Sequence, residues 1–190
     1  MLGNYVSQYL SNNFNVVNLS RVDLDASKDI SYDLILNKVK RIGIKKSDII
    51  INCAGTIKPR VDELGETNAI LVNSVFPRVL ASFCEKNQNF LIHPTTDCVY
   101  TGSKGNYNEN DNYDICDVYG MSKALGEPSN CTVIRTSIIG EEINNGRSLV
   151  EWVKSERNNK IFGYTNHYWN GLTCLQFAKV CEVIINKNLF

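Results

Sequence analysis

Short apolar runs alternate along the chain with longer stretches in which apolar residues recur at helical spacing. We predict buried strands at residues 16–19, 49–51, 90–93 and 132–134. The predicted helices cover residues 5–10, 34–42, 70–83, 118–125 and 175–185. Repeated alternation of strand and helix is typical of βαβ units, in which helices cover both faces of a parallel sheet. The pattern therefore predicts an α/β fold with a Rossmann-like, doubly wound parallel sheet.

Both ends of this pattern are shorter than in a complete doubly wound domain. The chain begins Met1-Leu2-Gly3 and passes directly into a predicted helix, so the first strand and most of the phosphate-binding glycine turn are missing from the pattern. We expect that the natural start lies upstream or that the chain is a fragment. We assign residues 1–140 to an NAD(P)-binding Rossmann-like domain, and residues 141–190 to a small, abbreviated substrate-binding region packed on it. Pro77 is expected to kink its helix.

Composition narrows the class of protein. Of the 190 residues, 43% are hydrophobic and 21% are charged, with 20 basic and 20 acidic side chains. This balance lacks the concentrated positive charge that nucleic-acid binding requires, and no apolar run is long enough to cross a bilayer. The seven cysteines are scattered without a C-x-x-C pair, which argues against a disulfide framework and a zinc site. We therefore expect a cytoplasmic protein with no metal, nucleic-acid or membrane partner.

Tyr119 and Lys123 form the first candidate catalytic pair. Residues four apart share one face of a helix, so the ammonium can lie near the phenol. A nearby cation favours the phenolate and brings a group with a pKa near 10 towards the working range. Tyr100 and Lys104 have the same spacing, but the glycines around them predict a turn. A surface tyrosine beside a solvated lysine is the alternative interpretation of Tyr119 and Lys123.

Two predicted strands end in residues that suit a binding site. Thr95, Thr96 and Asp97 follow one strand, and Asn52-Cys53-Ala54-Gly55 follows another. Ligands of open α/β sheets bind at the carboxyl ends of the strands, where a threonine hydroxyl can hold a substrate carbonyl and small residues allow a flat cofactor to approach the backbone. The alternative interpretation of both segments is an ordinary turn.

The motifs occur in an order that resembles a known family. After Gly3 come Asn52-Cys53-Ala54-Gly55, Thr95-Thr96-Asp97-Cys98-Val99-Tyr100, Tyr119-Gly120-Met121-Ser122-Lys123, Ile134-Arg135-Thr136-Ser137 and Asn170-Gly171-Leu172-Thr173. Together they are similar to the dTDP-4-dehydrorhamnose reductase family of extended short-chain dehydrogenases/reductases, over nearly the whole chain. Thr95 replaces the usual serine, and Leu172 replaces the usual proline.

The resemblance implies NAD(P)H-dependent reduction of a 4-keto-6-deoxy nucleotide sugar in deoxysugar or surface-glycan biosynthesis. Tyr119 would donate the proton, Lys123 would hold the nicotinamide ribose and lower the pKa of the phenol, and Thr96 would orient the carbonyl. The predicted cofactor-binding residues are Gly3, Ser20, Arg21, Asp25, Asn52, Cys53, Ala54 and Gly55. The predicted substrate-binding residues are Thr95, Asp97, Asn166, His167 and Asn170. Arg21 slightly favours NADPH over NADH, and we also consider a homodimer.

Two other functions stay open. A nucleotide-sugar epimerase or dehydratase of the same superfamily would use the same tyrosine and lysine but retain its cofactor tightly. A non-catalytic regulatory or binding subunit would suit the incomplete glycine turn. The combination of Thr96, Tyr119 and Lys123 favours an enzyme, because a scaffold has no chemical need for all three.

Overall fold

A parallel three-stranded sheet lies at the centre of the larger part of the molecule. In the computed structural model, which describes residues 1–142 and 148–190, the strands are β1 (Ile49–Ile51), β2 (Phe90–Thr95) and β3 (Thr132–Arg135). They are ordered β1-β2-β3, with Ile51 opposite Ile92 and Thr95 opposite Arg135, and both pairs are parallel. The predicted α/β class with a parallel sheet is confirmed.

Helices alternate with these strands as expected. Their bounds are α1 (Leu2–Leu10), α2 (Tyr32–Ile42), α3 (Lys58–Leu64), α4 (Glu66–Ile70), α5 (Phe76–Asn87), α6 (Val118–Leu125), α7 (Leu149–Ser155) and α8 (Cys174–Asn186). A π-helical segment, Leu71–Val75, joins α4 to α5, and a 3₁₀ turn, Asp97–Val99, follows β2. Two further short strands, β4 (Ile138–Ile139) and β5 (Leu172–Thr173), pair in parallel.

The predicted strand at residues 16–19 is wrong. This segment has no regular structure, and the side chains of Val17 and Leu19 are exposed. A strand needs a hydrogen-bonded neighbour, and within the described residues this segment pairs with none. The alternating apolar residues alone could not reveal whether a neighbour was present.

The chain divides into two compact units. One contains residues 18–135 and 188–190, and the other contains residues 1–17 and 136–187. The first helix therefore belongs to the same unit as the C-terminal segment, and not to the unit that contains the three-stranded sheet. The functional division into a cofactor domain (1–140) and a substrate region (141–190) stays a prediction.

Helices α2 and α5 form the main core of the unit that contains the three-stranded sheet. Ile35 of α2 and Phe83 of α5 are almost completely buried, together with Leu91 of β2. The ends of α2 follow from its sequence, because the Ser31 side chain accepts a hydrogen bond from the backbone at residue 34 and Gly43 adopts the left-handed conformation. This core supports the strands whose carboxyl ends carry the candidate site.

Pro77 lies in the first turn of α5, directly after the π-helical segment. Proline has no N–H, so the Asn73 carbonyl one turn earlier loses its helical donor. Gly126, just after α6, lies against this carbonyl: a Cβ on Gly126 would be 1.7 Å from the Asn73 oxygen. The kink predicted at Pro77 therefore lies next to a π-helical turn. The end of α6 packs against the same turn.

The second unit is held by its terminal helices. Glu182 of α8 accepts hydrogen bonds from the Tyr9 hydroxyl at 2.6 Å and from the Asn13 amide at 2.8 Å. Thr173 begins α8 with a reciprocal capping box to Gln176. The segment 170–173, which resembles a family motif, therefore leads directly into this capped helix.

We predict that Gly126→Ala destabilises the protein by about 2 kcal/mol, because the added methyl group overlaps backbone that cannot move independently. Urea unfolding followed by circular dichroism measures this change. Gly163→Ala is the matched control, since a Cβ at Gly163 meets nothing within 4 Å. Equal stability of the two variants would contradict the close packing of α6 on the π-helical segment.

Candidate active site

Helix α6 carries both members of the predicted catalytic pair. Asp117 caps its N-terminus by accepting the Gly120 N–H at 2.7 Å. Gly120 lets this first turn approach the chain after β2, since a Cβ there would be 2.5 Å from the Cys98 carbonyl oxygen. The spacing of Tyr119 and Lys123 on one helical face is confirmed.

The Thr96 side chain lies close enough to Tyr119 to affect the pKa of the phenol. Thr96 is buried just beyond β2, and its hydroxyl oxygen also accepts the Cys98 N–H at 3.1 Å. Burial raises the pKa of Tyr119 to about 12, and the nearby Thr96 side chain opposes this rise. The resemblance implied a lowered pKa, so burial dominates in this structure. At neutral pH the phenol carries its proton.

Lys123 is buried one helical turn after Tyr119, with 7% of its surface exposed. Burial disfavours the charged ammonium and lowers the pKa of Lys123 to about 8. The amine lies against the turn after β1: a Cβ on Gly55 would be 2.9 Å from Lys123 Nζ. Gly55 therefore leaves the space that the lysine needs.

The turn after β1 is fixed by the side chain of Asn52. Its Oδ1 accepts the Ala54 N–H at 3.1 Å, so its amide nitrogen faces His93 Nδ1 at 3.2 Å. An amide nitrogen only donates, which makes Nδ1 the acceptor and places the imidazole proton on Nε2. Burial lowers the pKa of His93 to about 3, and the nearby Lys123 charge adds to this effect. His93 is therefore a neutral support for the turn 52–55.

Two buried polar atoms lie on β2, one on His93 and one on Thr95. His93 Nε2 and Thr95 Oγ1 have no hydrogen-bond partner among residues 1–142 and 148–190. Buried polar groups are normally satisfied, so both atoms are available to a bound molecule or solvent. Asp97 follows in the 3₁₀ turn, where its Oδ1 lies 3.4 Å from the Thr96 hydroxyl.

Asn73 is a central residue that the sequence analysis missed. It lies in the π-helical segment, 1% exposed, and its amide bonds the Thr56 backbone at 2.8 and 2.9 Å and the Ser122 hydroxyl at 3.1 Å. Ser74 beside it donates to the Ser122 carbonyl at 2.6 Å. Two adjacent polar residues inside an apolar helical run were the signal that could have revealed this support for α6.

A cleft of about 430 Å³ opens beside Tyr119. It is lined by Lys58, Val61, Asp62, Gly65, Glu66, Asp117, Val118 and Tyr119. Lys58 at the start of α3 donates to the Asp117 carboxylate at 2.6 Å. Tyr119 therefore borders a space that a small sugar ring could enter, and both polar and apolar groups line this space.

Ser20, Arg21 and Asp25 form a separate local cluster in the same unit. The Ser20 hydroxyl donates to Asp23 at 2.8 Å, and Arg21 lies 3.8 Å from the Asp25 carboxylate. Asp25 Oδ1 also accepts from the Ser27 hydroxyl at 2.7 Å. These side chains thus stabilise their own turn, and their predicted contact with the adenosine end of a cofactor stays a prediction.

The remaining predicted residues divide between the two units. Cys53 and Ala54 lie beside Asn52 in the turn after β1, as expected. Gly3 is in α1, and Asn166, His167 and Asn170 are exposed in the segment before β5. These four belong to the unit formed by residues 1–17 and 136–187. The second pair with four-residue spacing, Tyr100 and Lys104, lies in a loop and not on a helix. The Tyr100 ring stacks there on the ring of Tyr107.

The fold and this geometry define a Rossmann-like α/β protein with a half-buried tyrosine and a buried lysine at the carboxyl edge of its sheet. A family model described as the RmlD substrate binding domain matches residues 1–161, and the chain belongs to this family. The resemblance to dTDP-4-dehydrorhamnose reductases is thereby confirmed.

Relatives of the chain carry related names. It is 31% identical over 130 residues to a dTDP-4-keto-6-deoxy-D-glucose reductase of Streptomyces niveus, covering 64% of this chain and 43% of the relative. It is 32% identical over 142 residues to a dTDP-4-dehydrorhamnose reductase of Aggregatibacter actinomycetemcomitans, covering 73% and 46%. The chain thus spans less than half the length of these relatives.

The fold is shared with a dTDP-4-dehydrorhamnose reductase of Bacillus anthracis strain Ames, solved in complex with NADP. Sequence identity is 20%, the TM-score is 0.80, and the match covers 97% of this chain and 67% of that one. Within residues 1–142 and 148–190, no helix is long and apolar enough to cross a membrane, and no group of metal-binding side chains occurs.

We predict that burial of Lys123 makes stability depend on pH. Its pKa is near 8 when folded and near 10.5 when unfolded, so between these values the unfolded state binds more protons and the free energy of unfolding rises with pH. The free energy of unfolding of the wild type, measured relative to that of Lys123→Met, should rise by about 2 kcal/mol between pH 7 and pH 10. Urea unfolding of both proteins at each pH tests this, and a constant difference would show that the amine is solvated.

Proposed function

We propose that this protein reduces the 4-keto group of a 6-deoxy nucleotide sugar with NAD(P)H. The observation that carries the proposal is the placement of Tyr119 near Thr96, one helical turn before the buried Lys123. Membership of the RmlD family and the names of the two relatives support the same chemistry. Reduction in deoxysugar or surface-glycan biosynthesis is the corresponding biological role.

The side chains have distinct roles in this reaction. NAD(P)H, when bound, would supply the hydride that reduces the carbonyl carbon. Thr96 holds the carbonyl oxygen, and Tyr119 donates its proton to that oxygen as negative charge develops. The phenolate that remains is stabilised by the Lys123 ammonium. A phenol that is neutral at pH 7 is the form that a proton donor needs.

The residues at the edge of the sheet fit the nicotinamide half of such a cofactor. Gly55 leaves the backbone open beside Lys123, and the lysine amine could hold the nicotinamide ribose. Thr95 supplies a buried hydroxyl without a partner among the described residues. Asn52 and Ala54 would line the same surface. We infer NADPH or NADH as the cofactor, with NADPH slightly preferred because of Arg21.

The substrate is a nucleotide-linked sugar that enters the cleft beside Tyr119. Asp97 is proposed to contact it. The substrate-binding roles of Asn166, His167 and Asn170 stay predictions. A cytoplasmic location and a homodimer are further parts of this proposal. An epimerase or dehydratase, and a non-catalytic subunit, remain the alternatives that the experiments below separate.

We predict that Tyr119→Phe lowers kcat by about 100-fold or more, because the variant keeps the ring but has no proton to donate. Oxidation of NADPH is followed by absorbance with a dTDP-4-keto-6-deoxy sugar as substrate. Quenching of protein fluorescence should show unchanged NADPH affinity. As the control, Tyr107→Phe removes a hydroxyl in the loop 100–117 and should retain full activity.

Three outcomes would contradict this assignment. Full turnover by Tyr119→Phe would exclude the phenol as the proton donor. Binding of NADPH and sugar nucleotide by the wild type without turnover would favour the non-catalytic subunit. Release of oxidised cofactor when the purified protein is unfolded would favour an epimerase or dehydratase.

We further predict that Arg21→Ala weakens NADPH binding by about fivefold and leaves NADH binding unchanged, because loss of one exposed cation near a phosphate removes a modest, screened attraction. Fluorescence titration with each cofactor measures both affinities. Lys28→Ala is the matched control, since Lys28 lies 3.9 Å from the same Asp25 carboxylate. Equal losses for NADPH and NADH, or for both variants, would remove Arg21 as a selectivity residue.

A further inference from the structure

The Asp117 carboxylate makes two contacts that connect different parts of the candidate site. Its Oδ1 accepts the Gly120 N–H at 2.7 Å and thereby caps the helix that carries Tyr119. Its Oδ2 accepts from Lys58 Nζ at 2.6 Å and thereby ties that helix to the start of α3. The reaction proposed above assigns no role to either side chain.

We propose that Lys58 and Asp117 are positioning residues for Tyr119: their ion pair holds the first turn of α6 against α3 and sets the net charge beside the phenol. This inference rests on the proposed function. It adds a pair of residues that act on the proton donor without touching the reacting atoms.

The geometry places the pair in the lining of the cleft. Tyr119 is two residues after the cap, so a change in the first turn of α6 moves the phenol relative to Thr96. Helix α3 is anchored by buried Val61, and both Lys58 and Asp117 line the cleft beside the phenol. The ion pair therefore connects a fixed helix to the turn that carries the proton donor.

The charged groups around Tyr119 are mostly acidic. Asp97 and Cys98 in the 3₁₀ turn and Asp117 on α6 each raise the pKa of the phenol by charge repulsion. The other groups that line the cleft are Asp62 of α3, Glu66 of α4 and Lys58. Among the described lining residues Lys58 is the cation, and it neutralises the Asp117 carboxylate nearest to the helix start.

The two members of the pair should therefore have opposite effects on the phenol. Lys58→Met leaves the Asp117 charge uncompensated, which disfavours phenolate and raises the pKa of Tyr119. Asp117→Asn removes the anion but keeps the Lys58 cation, which favours phenolate and lowers that pKa. A purely structural pair would lower activity in both variants without moving the pH profile in opposite directions.

The experiment compares pH profiles of kcat for reduction at saturating cofactor and substrate. Loss of the Lys123 proton near pH 8 lowers kcat first. Reduction also needs the protonated phenol, so a second, more basic limb reports deprotonation of Tyr119. We expect this basic limb to move up by about half a pH unit in Lys58→Met and down by a similar amount in Asp117→Asn. Lys58→Arg should behave as the wild type. Arg60→Met is the matched control, because Arg60 pairs with Glu63 on the same helix at 3.9 Å.

A second measurement does not depend on turnover. Tyrosine labelled with ¹³C at Cζ gives one signal for each of the nine tyrosines, and the signal that Tyr119→Phe lacks belongs to Tyr119. Its titration should begin at lower pH in Asp117→Asn and at higher pH in Lys58→Met than in the wild type.

The outcomes separate this inference from the proposed function. Opposite shifts in the carbon signal support the positioning pair even where no 4-keto-6-deoxy sugar nucleotide is reduced, a result that would overturn the proposed function alone. Shifts in the same direction in the two variants, or no shift in either, overturn the positioning pair even if reduction is confirmed.

Discussion

Burial of the Lys123 ammonium one turn from the Tyr119 phenol is the constraint on which the site depends. Placing a charge in a low-dielectric interior costs several kcal/mol unless surrounding groups compensate. The fold meets this constraint by bringing backbone close to α6 at Gly55, Gly120 and Gly126, where any larger side chain would collide with a neighbour. Partial burial also raises the pKa of Tyr119 and keeps the phenol protonated at neutral pH.

The rest of the polar interior is arranged around α6. Asn73 joins the π-helical segment to the turn after β1 and to α6, and Asn52 joins that turn to β2 through His93. Because His93 is neutral, Lys123 is the cation in this buried group. A carbonyl bound by Thr96 would thus meet one proton donor and one positive charge, which is the arrangement that reduction of a ketone requires.

The sequence predicted the fold correctly in those segments where the local pattern of apolar residues agrees with the tertiary structure. The spacing of apolar residues predicted β1 and α6 at their observed bounds. Tyr119 and Lys123 lie on one face of α6, as their four-residue spacing predicted. The features that were predicted wrongly or missed depend on contacts between residues far apart in the sequence. Residues 16–19 have the composition of a strand but no neighbour to pair with among the residues that the structure describes. Asn73 acts across the fold, on partners 17 and 49 residues away, which no local pattern reveals.

The pKa of the Lys123 amine tests the central claim most directly. Lysine labelled with ¹³C at Cε reports this titration, and the signal that Lys123→Met lacks belongs to Lys123. The account predicts a midpoint near pH 8, the value that burial beside Gly55 and Tyr119 imposes. A midpoint near 10.5, the ordinary value for a solvated lysine, would mean that the amine is exposed and that α6 does not hold the arrangement described.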